Sequence, residues 1–182
     1  MYVNMVYRFL ENQTTGDAAS VYPFVDSWSH HTTTADMMRS VSFPDTPLNA
    51  TAALLVEGDF TTVFRGKEHA FDAVVTHFFI DTARNLIDYL ETIHKLLPKG
   101  GIWVNFGPLL YGTGPFVQLS LEEIVAVAEA MGFEFLDTGA DVGALTVEGA
   151  KVRSVEAVYA LNPKALTRNS YLAQFWVARR TN

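Results

Sequence analysis

The feature that most constrains the fold is a strand pattern, a helix pattern and a second strand pattern in direct succession. Residues 71–80 (FDAVVTHFFI) form an almost continuous apolar run, and residues 102–106 (IWVNF) form another. Between them, residues 82–97 repeat apolar side chains at helical spacing: Leu86, Ile87, Leu90, Ile93 and Leu97. Pro98 and the Gly100-Gly101 pair end that helix. Such a strand–helix–strand unit predicts an α/β protein with parallel strands.

Further apolar runs extend this core on both sides. The elements predicted from them are a strand at 52–56, a helix from 120 to 131, and strands at 133–136 and 171–179. Ser120 and Glu123 form a capping box at the start of the helix, and Gly132 ends it. We expect a mostly parallel sheet in which the C-terminal strand is antiparallel.

The N-terminal part of the chain is less regular. Residues 1–10 carry Val3, Val6, Tyr7 and Leu10 at helical spacing, which predicts a short helix. Residues 13–49 are rich in Thr, Ser, Pro and His, and long irregular stretches of this kind are usually functional, for example as lids. We expect a single domain over residues 1–182, with a helix and a lid-like segment in 1–50 and an α/β core in 51–182.

Composition narrows the class of function. Hydrophobic residues make up 49% of the 182 residues and charged residues 18%, which favours a folded core. The net charge of −7 disfavours nucleic acid as a partner, and the absence of cysteine excludes disulfides and thiolate metal sites. No run is apolar enough to span a bilayer, and residues 1–10 do not form a signal peptide. We therefore expect a cytoplasmic protein that binds a small molecule.

Three polar segments follow predicted strands, where α/β sheets bind ligands. Asp59 and Phe60 are suited to adenine, through a carboxylate acceptor and a stacking ring, although Asp59 is also suited to capping the next turn. Asp81 is either a helix N-cap or a carboxylate that binds an amine or imidazole and accepts its proton. After the third strand, Tyr111 either points toward the cleft or packs a loop on the sheet.

The histidines and glycines of the chain bear on other chemistries. His77, inside a strand, is more often a core histidine than a catalyst. The adjacent His30 and His31 suggest a metal site only weakly, because no cysteine or spaced carboxylate cluster accompanies them. The chain contains neither Gly-x-Ser-x-Gly nor Gly-x-Gly-x-x-Gly, the motifs of α/β hydrolases and of dinucleotide-binding folds.

One long string carries a family resemblance. Residues 77–111 (HFFIDTARNLIDYLETIHKLLPKGGIWVNFGPLLY) closely resemble the signature of carnosine N-methyltransferases, the N2227-like family of class I S-adenosylmethionine-dependent methyltransferases. Shorter matching segments are Tyr22-Pro23-Phe24, Ala35-Asp36, Phe43-Pro44-Asp45, Gly58-Asp59-Phe60, 119–124, 132–136 and 175–180. The resemblance runs along nearly the whole chain and implies an incomplete Rossmann-like class I sheet.

The resemblance also implies site residues and a cofactor, S-adenosylmethionine. The residues it assigns to the cofactor are Asp59 and Phe60, at the adenine end, and His77. The residues it assigns to the substrate are Asp81, Tyr111 and Tyr171, with Asp81 and Tyr111 as the catalytic pair. The chain departs from the family pattern at Gly112, where relatives usually carry a histidine that contacts an imidazole substrate.

A second departure concerns the start of the chain. The family's Gly-rich strand–turn–helix and ribose-binding acid have no counterpart in the sequence, so we expect bare strand edges to be covered in a homodimer or by another subunit. The leading hypothesis is an S-adenosylmethionine-dependent N-methyltransferase acting on a small amine or imidazole-type substrate. The alternatives are a truncated homologue that catalyses a cofactor-independent cyclisation or isomerisation, and a non-catalytic partner subunit.

Overall fold

A computed structural model describes residues 2–12, 20–42, 52–112, 114–147, 149–159 and 162–182. Its contacts group the chain into two units, Met1–Glu57 with Ala160–Arg168, and Gly58–Tyr159 with Asn169–Asn182. The matching segment Phe43-Pro44-Asp45 and much of the lid-like stretch lie outside the described residues. The single-domain prediction stays a prediction.

The first unit contains one helix of ten residues and three shorter elements. These are α1 (Tyr2–Glu11), β1 (Ser20–Val21), α2 (Thr34–Met37) and β2 (Val41–Ser42). The helix predicted near the N-terminus is confirmed as α1, and β1 pairs with β2 antiparallel. Within this unit the Lys164 ammonium donates to the Asp36 carboxylate at 2.6 Å, and this ion pair links residues 162–168 to α2.

The second unit holds the main sheet. Its elements are α3 (Phe60–Val63), β3 (Ala73–His77), a single 3-10 turn (Ile80–Thr82), α4 (Leu86–Leu96), β4 (Ile102–Gly107), α5 (Leu121–Ala130), β5 (Phe133–Leu136), β6 (Ala144–Leu145), β7 (Arg153–Tyr159) and β8 (Asn169–Arg180). The predicted strand–helix–strand unit is confirmed as β3, α4 and β4, with β3 and β4 parallel. The capping box at Ser120 and Glu123 opens α5.

The prediction of a mostly parallel sheet is wrong. Within the described residues β3 and β4 are the one parallel pair, while β8 runs antiparallel to β4, β5 and β7, and β6 antiparallel to β7. The reason is the position of β8. It lies inside the sheet, with β4 along one side and both β5 and β7 along the other, so a single reversed strand makes three antiparallel pairings.

Two other strand predictions need correction. Residues 52–56 form no strand, because they have no pairing partner among the described residues, and Leu54 is 88% exposed. The sequence prediction also missed β7, which pairs with β8 over seven residues, from Arg153 opposite Phe175 to Tyr159 opposite Asn169.

The core of the second unit lies between the sheet and α4 and α5. Asn85 caps α4 by accepting the Ile87 N–H, and this helix buries Leu86, Leu90 and Ile93. Trp103 of β4 and Trp176 of the neighbouring β8 meet edge to face, with ring centroids 5.2 Å apart. Burial of this apolar face fixes the register of β3 and β4, and therefore where their carboxyl ends lie.

None of the helices in the described ranges combines the length and apolarity that a bilayer span needs. Nor do the described residues bring three or more His, Cys, Asp or Glu side chains together in a way suited to a metal ion.

Candidate active site

An open cleft of about 420 Å³ lies where the chain leaves β3 and β4. Because the two strands are parallel, the segments that follow them leave the sheet at the same edge. The ends of β7 and β8 complete the cleft. The lining residues that matter for its chemistry are Phe78, Asp81, Thr82, Arg84, Tyr159 and Tyr171.

Asp81 is the buried charge of this cleft. It lies in the 3-10 turn after β3, its residue is 7% exposed, and one carboxylate oxygen accepts the Leu110 N–H at 2.9 Å. Burial raises the pKa of the carboxyl, while the hydrogen bonds from the Leu110 and Asp81 backbones act in the opposite direction. The helix N-cap alternative is wrong, since Asn85 caps α4. The carboxylate lines the cleft, and its role there as a substrate-binding base stays a prediction.

The turn that carries Asp81 begins with an unusual backbone. Phe78 has a φ of 49°, a left-handed conformation that is costly for a bulky side chain. Its N–H donates to the Phe106 carbonyl at 2.8 Å, so β4 holds it in place. A Cβ at Gly107 would lie 3.0 Å from the Phe78 backbone, which explains the glycine. This close approach lets the chain turn sharply from β3 into the cleft.

Three aromatic rings cluster on the same cleft. Phe78 stacks on Tyr159 with ring centroids 5.8 Å apart, and Tyr171 meets Tyr159 edge to face at 5.6 Å. Tyr171, which the family resemblance pointed to, therefore lies in the same cleft as Asp81. Tyr159 was missed because β7 was missed. In the structure, Tyr159 lies two residues beyond Ala157, the β7 partner of Tyr171, which brings the two tyrosines together.

Tyr111 is held away from the lining of this cleft. Its hydroxyl donates to the Leu119 carbonyl at 2.7 Å and accepts the Leu119 N–H at 3.2 Å. Burial raises the pKa of the phenol, which keeps it protonated. The loop-packing role considered from the sequence is thus the one in place, and a catalytic role for Tyr111 stays a prediction.

A second cleft, of about 360 Å³, lies beside α3 and the start of α4. Asp59 lines it and caps α3, with a single carboxylate oxygen accepting the Thr61 N–H at 2.8 Å and the Thr61 hydroxyl at 2.7 Å. Both hydrogen bonds lower the pKa of the exposed Asp59 carboxyl, and the bond from the hydroxyl has the larger effect. Phe60 packs edge to face against Phe79 and Tyr89 at 5.2 Å each. Asp59 and Phe60, the two residues predicted to bind adenine, thus line the same cleft.

His77 stands apart from both clefts. It is exposed near the end of β3, and its ring stacks on Phe106 with centroids 5.7 Å apart. The expectation of a core histidine is wrong, because position 77 falls on the face of β3 that points away from α4. Its assignment to the cofactor stays a prediction.

The two clefts adjoin, since Thr82 and Arg84 line both. A ligand in one therefore lies next to a ligand in the other. This arrangement suits a reaction between two bound molecules.

The family follows from a comparison with known proteins. A family model described as "Carnosine N-methyltransferase" matches residues 1–182. The chain belongs to the carnosine N-methyltransferase family.

Individual relatives carry the same name. The chain is 35% identical over 180 residues to the carnosine N-methyltransferase of Schizosaccharomyces pombe, which covers 87% of this chain and 44% of the relative. It is 32% identical over 186 residues to "Carnosine N-methyltransferase unmet" of Drosophila melanogaster, covering 97% and 37%. The chain thus spans less than half the length of these relatives.

A solved structure titled "Conversion of a Disulfide Bond into a Thioacetal Group during Echinomycin Biosynthesis" shares 13% identity with the chain. Its TM-score is 0.44, over 68% of this chain and 54% of the other, and a similarity this low supports no argument.

Membership in the carnosine N-methyltransferase family implies S-adenosylmethionine as the methyl donor. The second cleft carries Asp59 and Phe60, the residues that the resemblance assigns to the adenine end of that molecule. Both hydrogen bonds that Asp59 accepts from Thr61 fall on one oxygen, Oδ1, which leaves the other oxygen to an amino group. Phe60 supplies an aromatic surface beside it.

Proposed function

We propose that this chain provides the substrate cleft and part of the cofactor cleft of an S-adenosylmethionine-dependent N-methyltransferase, built on a Rossmann-like class I sheet. The substrate is a small amine or an imidazole-type molecule, as the name of its relatives suggests. The observation that carries the proposal is a buried carboxylate, Asp81, in an aromatic cleft that adjoins the Asp59 cleft.

The cleft is suited to a nitrogen that becomes positive during the reaction. Aromatic faces attract cations, and the rings of Phe78, Tyr159 and Tyr171 lie together on one cleft. Asp81 adds a negative charge beside them. Asp81 is itself buried, so its charge acts more strongly than it would on an open surface.

Asp81 also serves as the proton acceptor. When bound, S-adenosylmethionine would supply an electrophilic methyl group on a sulfonium sulfur, with a neutral thioether as the leaving group. The substrate nitrogen forms the new bond to carbon and gives up its proton to the Asp81 carboxylate. The raised pKa of Asp81 makes it a stronger base than an ordinary carboxylate. The Leu110 N–H holds the carboxylate in one orientation.

The test combines binding and turnover. Isothermal titration with S-adenosylhomocysteine measures the cofactor site, and mass spectrometry measures methyl transfer to carnosine and to other small amines. We expect micromolar binding and one added methyl group per substrate. No binding at millimolar ligand would contradict the proposal.

A matched pair of variants isolates the role of Asp81. Asp81→Asn keeps the acceptor for the Leu110 N–H but removes the base, whereas Asp72→Asn makes the same change at an exposed site just before β3. We expect activity to be lost in the first variant only. The two alternatives from the sequence, a cofactor-independent reaction and a non-catalytic subunit, have no observation in their favour and stay predictions. The homodimer also stays a prediction, which light scattering tests.

A further inference from the structure

Phe116 is the fourth aromatic ring among the described residues that line the second cleft, and its surroundings differ from those of the other three. Phe60, Phe79 and Tyr89 pack on one another with ring centroids 5.1 to 5.2 Å apart, so they form a fixed cluster. Phe116 is 79% exposed, and in the described part of the chain its ring meets the Arg84 guanidinium rather than another ring. A single exposed apolar side chain is ordinary on a protein surface, but this one lines a cleft.

The backbone that carries this ring is fixed beside the cleft. The Phe116 N–H donates to the Arg84 carbonyl at 2.6 Å, and Val117 forms a parallel bridge with Asn85, the residue that caps α4. Arg84 and Asn85 themselves line the cleft. Two residues before the ring, Gly114 has a φ of 89°, a conformation that glycine adopts without strain, which lets the chain turn sharply into this position. The segment therefore holds the Phe116 side chain at the cleft.

Arg84 supports the ring from one side. Its guanidinium carbon lies over the Phe116 ring, 5.6 Å from the ring centre, within the range of a cation–π contact. The cation occupies one face of the ring, and because the side chain is largely exposed, the other face is open to a flat ligand. Every nucleobase presents a flat π surface, and stacking of a base on an aromatic side chain is favourable.

We propose that Phe116 stacks on the base of a nucleoside bound in the second cleft, so that the base is enclosed between the rings of Phe116 and Phe60. The proposal rests on the proposed function, because it takes the nucleoside to be that of S-adenosylmethionine. It adds a binding residue from the segment between β4 and α5, far along the chain from Asp59 and Phe60. Asp59 then binds the edge of the base, and the two rings bind its faces. Because the backbone is anchored, only the side-chain torsions of Phe116 change when the base enters.

Isothermal titration with S-adenosylhomocysteine tests the stack in the parent protein and three variants. Phe116→Ala removes the ring, and we expect its Kd to rise about tenfold, the effect of losing one base–aromatic stack. Phe116→Trp keeps an aromatic surface and should bind at least as tightly as the parent. Leu145→Ala is the matched control, because it removes an exposed apolar side chain from β6, and it should leave the Kd unchanged. Thermal melts check that each variant is folded.

The fluorescence of Phe116→Trp tests the contact itself. An indole that stacks on adenine loses part of its emission, so the new tryptophan reports on the base directly. The parent protein provides the reference, because it contains Trp28, Trp103 and Trp176, of which the last two are fully buried. We expect S-adenosylhomocysteine to quench the emission of the variant more than that of the parent. A residue with a merely structural role would show no such difference.

The outcomes separate this proposal from the proposed function. A tenfold weaker Kd in Phe116→Ala, together with added quenching in Phe116→Trp, supports the stack. If Phe116→Ala binds S-adenosylhomocysteine as tightly as the parent, the stack is overturned and the proposed function stands. If the affinity falls but Phe116→Trp shows no added quenching, the ring does not touch the base, and the stack is again overturned. If the parent itself does not bind at millimolar ligand, the proposed function fails and the stack fails with it.

Discussion

Asp81 and Asp59 are both aspartates at the start of a short helical segment that lines a cleft, and the structure gives them opposite environments. Asp81 is buried, and burial raises its pKa. Asp59 is exposed, and hydrogen bonds from Thr61 lower its pKa. One carboxyl is thereby prepared to take up a proton and the other to stay ionised as a hydrogen-bond acceptor. Under the proposed function, this difference separates the proton acceptor from the carboxylate offered to adenine.

The largest expected effect concerns the buried member of the pair. Asp81→Asn should reduce methyl transfer by roughly 100-fold to 10,000-fold, the usual contribution of a general base. The affinity for S-adenosylhomocysteine should be unchanged, because Asp59 lines the other cleft. Turnover measured under saturating cofactor checks this. Retention of full activity in Asp81→Asn would remove the distinction between the two carboxylates.

The pH dependence of stability sharpens the same comparison. A raised pKa in the folded state means that protonated Asp81 stabilises the fold below the unfolded value of 3.8, and that this contribution is lost as pH rises through the folded pKa. Asparagine removes the cost of a buried charge. Asp81→Asn should therefore melt above the parent protein at neutral pH, and the gap should close in acid. Thermal melts at several pH values measure it, and a gap independent of pH would contradict the burial argument.

The third prediction concerns the turn between β3 and Asp81. Gly107→Ala places a Cβ 3.0 Å from the Phe78 backbone and should lower the free energy of unfolding by roughly 1–3 kcal/mol, as overpacking does. Gly112→Ala is the matched control, since open space surrounds that position. Chemical denaturation of both variants compares them. Equal stability of the two would show that the approach of Phe78 to β4 does not depend on the glycine.

The parts of the fold that local patterns determine were predictable, and those that depend on distant pairing were not. The period of the apolar residues in 82–97 marks α4 wherever the helix packs. The position of β8 inside the sheet depends on contacts with β4 and β7, which no local pattern records. An apolar run alone does not distinguish a strand from an exposed segment, as residues 52–56 illustrate.

The same distinction holds for the candidate site. The position of Asp81 beyond the carboxyl end of a parallel strand was predictable, because the strand before it was clear. Tyr159 depends on β7, so missing that strand hid an aromatic residue of the cleft. Side chains alternate between the two faces of a strand, but the sequence does not show which face of β3 is buried. His77 was therefore expected in the core, whereas it lies on the exposed face.

The smallest effect is expected from substitutions of Asp59, the exposed member of the pair. Two such substitutions separate its structural role from its proposed role in binding. Asp59→Ser keeps an oxygen that accepts the Thr61 N–H, so the cap of α3 and the melting temperature should be nearly preserved. Asp59→Ala removes the cap and should melt slightly lower. Both lose the carboxylate offered to adenine, so both should weaken S-adenosylhomocysteine binding by a similar factor in isothermal titration. If affinity instead follows stability, falling in Asp59→Ala and not in Asp59→Ser, then Asp59 only caps a helix, and the adenine end of the cofactor lies elsewhere.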